Sequence, residues 1–402
     1  MGALALSKAV FRSVKTFSAW EQNASTSSPE LLDCAAPELE AADPPAAGES
    51  VESLPQAVSR TSAAAAETPA VRVAGRRVTP RYPPTGDGVG AARAPGRAER
   101  GPQQADSVQP VTAPVDPRTS WGLPAPGAMP PVADLEPLVS RVLAPNASGM
   151  TLDGTNTYVV GAPGSGQAVV VDPGPADEAH LAAVEGVLAA RDARVVAVLV
   201  THHHGDHAEA ARPWGARFGA PVAAAAAAVA GPAGRVLTPG EQLRLAGTTI
   251  GVVATPGHTA DHLAFRLESG AVLAGDHVLG RGTSVVTHPE GDVVAYLDSL
   301  RRVHDLGPSA LYCGHGPELT VDPTAVLDFY LAHRAYREEQ LLAGLAGGPR
   351  TVAQLVAEVY AAVPQSLWPA ATQSTRATLA KLVAEGRVEP RDGDTVALTA
   401  AR

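Results

Sequence analysis

Apolar and polar positions are spread unevenly along the 402 residues. Up to about residue 120 there is almost no apolar periodicity. Pro, Ala, Gly, Ser and Glu dominate, in runs such as Ala41-Ala42-Asp43-Pro44-Pro45 and Pro80-Arg81-Tyr82-Pro83-Pro84. Such a composition cannot bury enough apolar surface to offset chain entropy, so residues 1–120 read as a disordered, low-complexity region. At its start, Leu6, Val10, Val14 and Phe17 share one helical face, Lys8, Arg12 and Lys15 lie on another, and no acid precedes Glu21. That pattern resembles an amphipathic targeting or membrane-surface helix, but an unstructured tail or a start placed too far upstream is the preferred reading, because a short basic pattern of this kind arises easily by chance.

From about Val132 short β runs alternate with helices, the pattern of an α/β domain. Residues 155–160 and 168–171 predict two strands around the turn 161–166, and 177–190 predicts a helix. Residues 195–200 form an unbroken apolar run, hence a strand buried on both faces. Helices or short turns follow to Ala230. Further strands are predicted at 241–245, 248–254, 262–267, 271–274 and 310–313, and helices at 289–303 and 326–345. After Gly347-Gly348-Pro349 the pattern changes. Thr351 caps a helix reaching Val363, and a second helix spans about 371–385 until Gly386 stops it. Residues 387–390 and 395–398 flank the hairpin signal Arg391-Asp392-Gly393-Asp394. Two helices and a hairpin predict a small winged-helix domain. The expected segments are thus 1–120, 132–348 and 349–402, with no internal repeat.

Composition narrows the function classes. A hydrophobic fraction of 45% permits a substantial core. Lysine occurs only at Lys8, Lys15 and Lys381 while arginine is abundant, a bias that reads as a GC-rich genome. The formal net charge of −10 has its acid excess in the middle of the chain, where divalent cations would offset it. No basic stripe of a dedicated nucleic-acid binder is present. Cys34 and Cys313 lie far apart, which argues against a disulfide framework and for a reducing, cytoplasmic compartment. No apolar run approaches the roughly 18–20 residues of a membrane span.

Chemistry concentrates at predicted strand ends. Directly after 195–200 stands Thr201-His202-His203-His204-Gly205-Asp206-His207, four imidazoles and a carboxylate in one loop. These are donors that a borderline ion such as zinc prefers. Three more strand ends carry the same donor types: Thr255-Pro256-Gly257-His258-Thr259-Ala260-Asp261-His262, Leu273-Ala274-Gly275-Asp276-His277 and Cys313-Gly314-His315-Gly316. A glycine before each of these donors lets the backbone turn sharply. Four such ends suggest one convergent centre. His203 alternates out of the His202/His204 pattern and is expected to point away. His262 and His277 are expected to pack, or to hydrogen-bond behind the donors. Asp172, before Pro173-Gly174, either orients a donor imidazole or closes a turn. Thr157 and Tyr158 line the pocket or pack within a strand. Cys313 packs as a small apolar residue, and Arg334 reads as a surface or ion-pair residue.

Taken together these motifs resemble the metallo-β-lactamase superfamily. Thr201-His202-x-His204-x-Asp206-His207 matches its signature; Thr255 to Thr259, Gly275-Asp276 and Cys313 to Gly316 match later motifs, and Asn156-Thr157-Tyr158 and Val171 to Gly174 match its opening strands. The likeness spans about residues 135–345. It implies an α/β fold, the αββα sandwich, here followed by a winged helix. His333-Arg334, Arg337-Glu338 and the winged-helix pattern resemble the branch called β-lactamase-like protein 2, which includes a single-strand endoribonuclease. Carried over residue by residue, the resemblance implies one metal on His202, His204 and His258. A second would sit on Asp206, His207 and His315, with Asp276 bridging and Asp206 also in a catalytic role. Two zinc ions are expected, with iron or manganese left open. A hydroxide shared by the metals would attack an ester, thioester or phosphodiester.

Alternatives are a mononuclear-iron sulfur dioxygenase, a glyoxalase II-like thioesterase and a non-catalytic metal-binding protein. The winged helix in place of glyoxalase II's helical C-terminal region counts against the thioesterase of that type. The large insertion of RNA-processing relatives is also missing. Expected partners are a small-molecule ester or thioester, or single-stranded RNA, with self-association left open. In the winged helix Arg376, Lys381 and Arg387 are balanced by Glu385, Glu389 and Asp392. Sequence-specific DNA binding is therefore not expected, because phosphate contacts need a clearer basic face. Domain packing, oligomer contacts or shaping of the substrate cleft remain. Specificity is expected in loops such as 281–289.

Overall fold

Period-two alternation along the strands sorts the apolar side chains into layers. The computed structural model describes residues 112–400; the predicted N-terminal amphipathic helix lies outside them. Strands β1 (Val132–Glu136), β2 (Val139–Leu143), β3 (Asn156–Val160), β4 (Gln167–Val171), β5 (Arg194–Leu199), β6 (Val222–Ala224) and β7 (Arg235–Val236) form one sheet in that spatial order. It is antiparallel from β1 to β4 and parallel from β4 to β7. Strands β8 (Gln242–Leu245), β9 (Thr248–Ala254), β10 (Leu263–Leu267), β11 (Val272–Gly275) and β12 (Leu311–Cys313) form a second, ordered β12-β11-β10-β9-β8. Only its β11–β12 pair is parallel.

Between the sheets lie Tyr158, Val160, Val169 and Val171 from the first and Ile250, Val252, Phe265 and Leu273 from the second. The alternate residues Val159, Ala168 and Val170 face outward onto α1 (Glu178–Ala190) and Trp214. Past α2 (Gly205–Ala208), Trp214 belongs to α3 (Ala211–Phe218), which precedes the short α4 (Ala227–Ala230). On the far side, Ala264, Val272, Ala274 and Leu311 meet α5 (Val293–Asp305) and α6 (Pro323–Leu345) through Tyr296, Leu300, Leu327 and Tyr330. Helix, sheet, sheet, helix is the expected αββα sandwich.

Beyond α6 come β13 (Arg350–Thr351), α7 (Val352–Val359), α8 (Trp368–Ala384), β14 (Val388–Pro390) and β15 (Thr395–Leu398), the winged helix. Thr351 and Gln354 close a capping box at the start of α7. Leu341 and Leu345 at the end of α6 enter its core with Leu355, Leu379 and Leu382. Ala377 of α8 joins the layer under α5 and α6. The helix that would read DNA therefore packs against the sandwich. None of the described helices is long and apolar enough to cross a membrane.

Three expectations need correction. Order begins inside the segment assigned to disorder: Pro117–Ser120 is a 3-10 helix capped by Asp116. Its Arg118 is buried and donates to Leu279 O and Gly282 O, each at 2.7 Å, over the rings of Phe329 and Tyr330. A strap held by one arginine leaves no apolar periodicity to read. The helix predicted at 289–303 begins only at Val293, because Asp292 is its N-cap and accepts Ala295 N at 2.7 Å. Pro289, Glu290 and Gly291 remain loop. The short strands β6 and β7 lie where helices or turns were expected.

Candidate metal centre

The loops after β5, β9, β11 and β12 open at one edge of the two sheets and bring all seven predicted donors together. His202, His204 and His258 form one group within ligating reach, and Asp206, His207 and His315 another. His204 turns Nδ1 towards Nε2 of His202 at 3.0 Å and Nε2 of His258 at 3.1 Å. In the second group, His315 Nε2 is 3.2 Å from His207 Nε2 and 3.2 Å from Asp206 Oδ2. Asp276 Oδ2 stands between them, 3.3 Å from His315 Nε2 and 3.7 Å from His258 Nε2. Donors roughly 2.0–2.1 Å from a tetrahedral ion lie about 3.3 Å apart. The separations are those of ligand polyhedra.

Partners on the outer nitrogens set each ring. His202 Nδ1 donates to Thr201 Oγ1 at 3.0 Å, and that hydroxyl donates to Asp172 Oδ2 at 2.8 Å. His207 Nδ1 donates to the same carboxylate oxygen at 2.9 Å. His258 Nδ1 donates to Val285 O at 2.7 Å and His315 Nδ1 to Gly154 O at 3.2 Å. In neutral rings the inner nitrogens are then lone pairs aimed at one another. A cation relieves that repulsion. Asp276 Oδ1 is buried with no hydrogen-bond partner among the described residues, His207 Nε2 standing 3.4 Å away, a costly state that a cation would also relieve. The donor set fits a pair of borderline divalent ions.

Glycine is required at two of these strand ends. Gly275 has φ +50°, and a Cβ there would stand 2.8 Å from His262 Nε2 and from Thr201 Oγ1. At Gly314 a Cβ would stand 2.3 Å from Asp276 Oδ1 and 2.8 Å from His207 Cε1.

The two groups differ electrostatically. Burial, with neighbouring imidazoles, pushes His202 well below its ordinary range, and burial lowers His258 to about 4. Burial also opposes charge on His207 and His315, but the acids around them win. Asp276, Asp206 and Asp172 raise His207 well above its ordinary value, and Asp276 with Asp206 raises His315 to about 9. Reciprocally, burial works against the carboxylates, yet His207 and His315 lower Asp206 to about 2 and Asp276 well below the usual range.

The remaining predicted residues fall into place around the donors. Asp172, with φ +50°, accepts Thr201 N at 2.7 Å as well as the two contacts above, so it orients rather than merely turns. Thr157 donates to Asp172 O at 2.6 Å and Tyr158 to Cys313 O at 2.6 Å, which fixes loop roots rather than lining a pocket. His262 Nε2 accepts the N–H of Asp276 at 3.2 Å. His277 is buried beside Tyr296 and neither ring nitrogen has a partner among the described side chains. Cys313 packs in the core, where burial raises its thiol. Arg334 is a correction: it is buried, donates to Ser284 O at 2.5 Å and lies over the Tyr296 ring.

His203 points away from the donors as expected, but it is engaged. Its Nδ1 meets Asp261 Oδ1 at 2.8 Å and its Nε2 meets Glu290 Oε1 at 2.8 Å. Glu290 Oε1 is in turn 3.5 Å from His204 Nε2. Contact with His204 and His203 lowers the Glu290 carboxyl, although partial burial opposes it. Sequence reading missed Glu290 by absorbing it into a helix; Asp292 as an N-cap was the available signal.

Known proteins are similar to this chain in sequence and fold. Residues 150–315 match the Metallo-beta-lactamase superfamily and residues 351–395 the Beta-lactamase associated winged helix domain. A Beta-lactamase-like protein 2 homolog of Drosophila melanogaster is 31% identical over 65% of this chain and 92% of its own length. An Atrochrysone carboxyl ACP thioesterase of Aspergillus chevalieri is 34% identical over 60% of this chain and 79% of its own. Among solved structures, a metallo-beta-lactamase family protein from Thermus thermophilus superposes with a TM-score of 0.56 at 27% identity, covering 66% of this chain and all of that one.

Proposed function

Because this chain belongs to the metallo-β-lactamase superfamily, in the branch with the associated winged helix, we propose that it is a dinuclear metal-dependent hydrolase of small carboxylic esters or thioesters. The observation that carries the reaction class is the convergence of two complete donor groups on a shared carboxylate. His202, His204 and His258 would hold one ion, Asp206, His207 and His315 the other, and Asp276 both. Zinc suits these nitrogen and oxygen donors, with iron or manganese as the competing occupants. When bound, the pair supplies Lewis acidity and brings the pKa of a water from about 15.7 towards 7. The protein's part is to hold and orient. Asp206, about a third exposed and ionised at neutral pH, would, besides holding its ion, accept a hydrogen bond from a water on the open side.

The charge at the mouth supports an ester or thioester over a nucleic-acid strand. The open side carries Asp206, Asp261 and Glu290. Among the described residues, Arg281 pairs with Asp153, Arg376 with Asp394 at 2.7 Å, and Lys381 and Arg387 with Glu338. A polyanion needs unpaired cations along its path. The similarity to a thioesterase points the same way. A cytoplasmic setting accords with the free, buried Cys313.

The test is hydrolysis of a thioester and ester panel beside short single-stranded RNA, each against Asp276→Ala. Thioester or ester cleavage well above that control is expected. Cleavage of RNA alone would replace the substrate class with phosphodiesters. One iron per chain and no hydrolysis would replace the reaction with dioxygenase chemistry.

A further inference from the structure

We propose that Glu290 is a positioning residue for the first donor group: its carboxylate holds the outer N–H of His204, and His203, fixed by Asp261, holds that carboxylate. The inference rests on the two-metal reading above.

Three imidazoles make up this group, and two have their outer nitrogens bound inside the protein, His202 by Thr201 and His258 by Val285 O. His204 has no such internal partner. It offers its inner Nδ1 to the group, so Nε2 must carry the proton and face an acceptor. The acceptor in place is Glu290 Oε1, at 3.5 Å. His204 is about a third exposed, and without that carboxylate no hydrogen bond to its Nε2 among the described residues selects this ring orientation over the flipped one.

Glu290 is itself in a loop, and its location is set from outside. His203 reaches it at 2.8 Å and reaches Asp261 at 2.8 Å with the other nitrogen. Asp261 is pinned by Thr259 Oγ1 at 2.7 Å. The relay joins the loops after β5 and β9 to the segment before α5. A surface ion pair with no further consequence would leave the metal affinity unchanged. A carboxylate behind a metal-ligating histidine is worth more, typically about 10–100-fold in metal affinity.

The test uses the full chain in a His315→Ala background, which leaves His202, His204 and His258 as the remaining complete group. Metal-free protein is titrated with Zn²⁺ against a chromophoric chelator, and its thermal midpoint is recorded. Glu290→Ala should weaken Zn²⁺ by roughly 10–100-fold with the midpoint unchanged. Glu290→Gln, which keeps an acceptor oxygen, should restore most of the affinity. His203→Gln, which leaves Glu290 unpinned, should cost a few-fold and serves if Glu290→Ala does not fold. In the Zn²⁺-loaded parent, a downfield imidazole N–H resonance should vanish in Glu290→Ala. Parental affinity in Glu290→Ala would overturn the proposal, and so would a loss matched by a fall in the metal-free midpoint. If the wild-type chain takes up no Zn²⁺, the two-metal reading itself fails.

Discussion

The two halves of the candidate metal centre are built against different backgrounds. On their inner side His202, His204 and His258 meet no carboxylate among the described residues apart from the shared Asp276, while Glu290 stands behind His204. Burial keeps His202 and His258 uncharged at neutral pH. In the second half, Asp276, Asp206 and Asp172 surround His207 and His315 and raise both imidazoles above their ordinary range, so these rings hold protons where a cation would be. The first half is ready to ligate. The second must give up protons before it can. Their supports differ too. Asp172 and Gly154 O, both inside the fold, hold the second half, whereas the first relies in part on the exposed relay through Glu290. One centre thus combines a preformed half with a proton-loaded one.

The largest effect should come from removing what the halves share. Asp276→Ala takes the one carboxylate that, among the described residues, reaches both His258 and His315. Loss of several kcal/mol of transition-state stabilisation corresponds to a fall of roughly 10³-fold in turnover. Metal content should drop below that of either His258→Ala or His315→Ala. A variant that kept two ions and turnover within about tenfold of wild type would show that the halves are independent.

Next is pH, where the halves should act with opposite sign in metal-free protein. His258 falls from an ordinary 6.5 to about 4 on folding. Its contribution is present above 6.5 and is lost as pH falls through about 4. His315 rises from 6.5 to about 9, so its contribution is complete below 6.5 and is lost as pH rises through about 9. Thermal midpoints should therefore decline on both sides. His258→Ala should flatten the acid limb and His315→Ala the alkaline one. Excess Zn²⁺ should remove the alkaline limb, since the ion replaces the protons. If both variants altered the same limb, the electrostatic contrast between the halves would be wrong.

A smaller effect tests the buried support. Asp172 accepts from Thr201 N, Thr201 Oγ1 and His207 Nδ1. An Asn has one acceptor oxygen, so Asp172→Asn leaves at least one of these donors facing an amide N–H. Metal affinity should fall by about 10–100-fold, chiefly at the second half, because His202 feels Asp172 only through Thr201. Chelator competition resolving two steps would show it. An equal loss in both steps would mean that Asp172 supports the centre as a whole.

What the chain discloses in advance follows the same division. Donors that leave strand ends were legible, because a buried strand such as 195–200 announces its end and a glycine marks the turn. The sandwich was legible from alternation that the layers obey residue by residue, as with Val169 and Val171 against Ala168 and Val170. Supports reached across the fold were not. Val285 O and Gly154 O are backbone atoms and carry no residue signature. Glu290 and Asp261 are ordinary surface acids until His203 joins them, and Arg118 is a single charge in a stretch whose composition speaks for disorder.

The weakest expected effect lies furthest from the donors, on the second half's loop. Asp153 is buried and precedes Gly154, whose carbonyl holds His315. It accepts Gly127 N at 2.5 Å and pairs with Arg281, which also reaches Pro124 O. The strap of residues 112–131 and the 281–289 loop are thereby tied to the backbone behind one ligand. Arg281→Met keeps an unbranched stem and removes both guanidinium contacts. Asp153 would retain Gly127 N but lose its countercharge, at a cost of roughly 1–3 kcal/mol in stability. Only the part that shifts Gly154 O reaches the metal, so affinity at the second half should weaken just a few-fold while the first is unchanged. Zn²⁺ competition on the variant measures this. If the first-half ion were released more readily instead, the strap would be supporting the Val285 side of the centre, and the assignment of buried supports to the second half would have to be reversed.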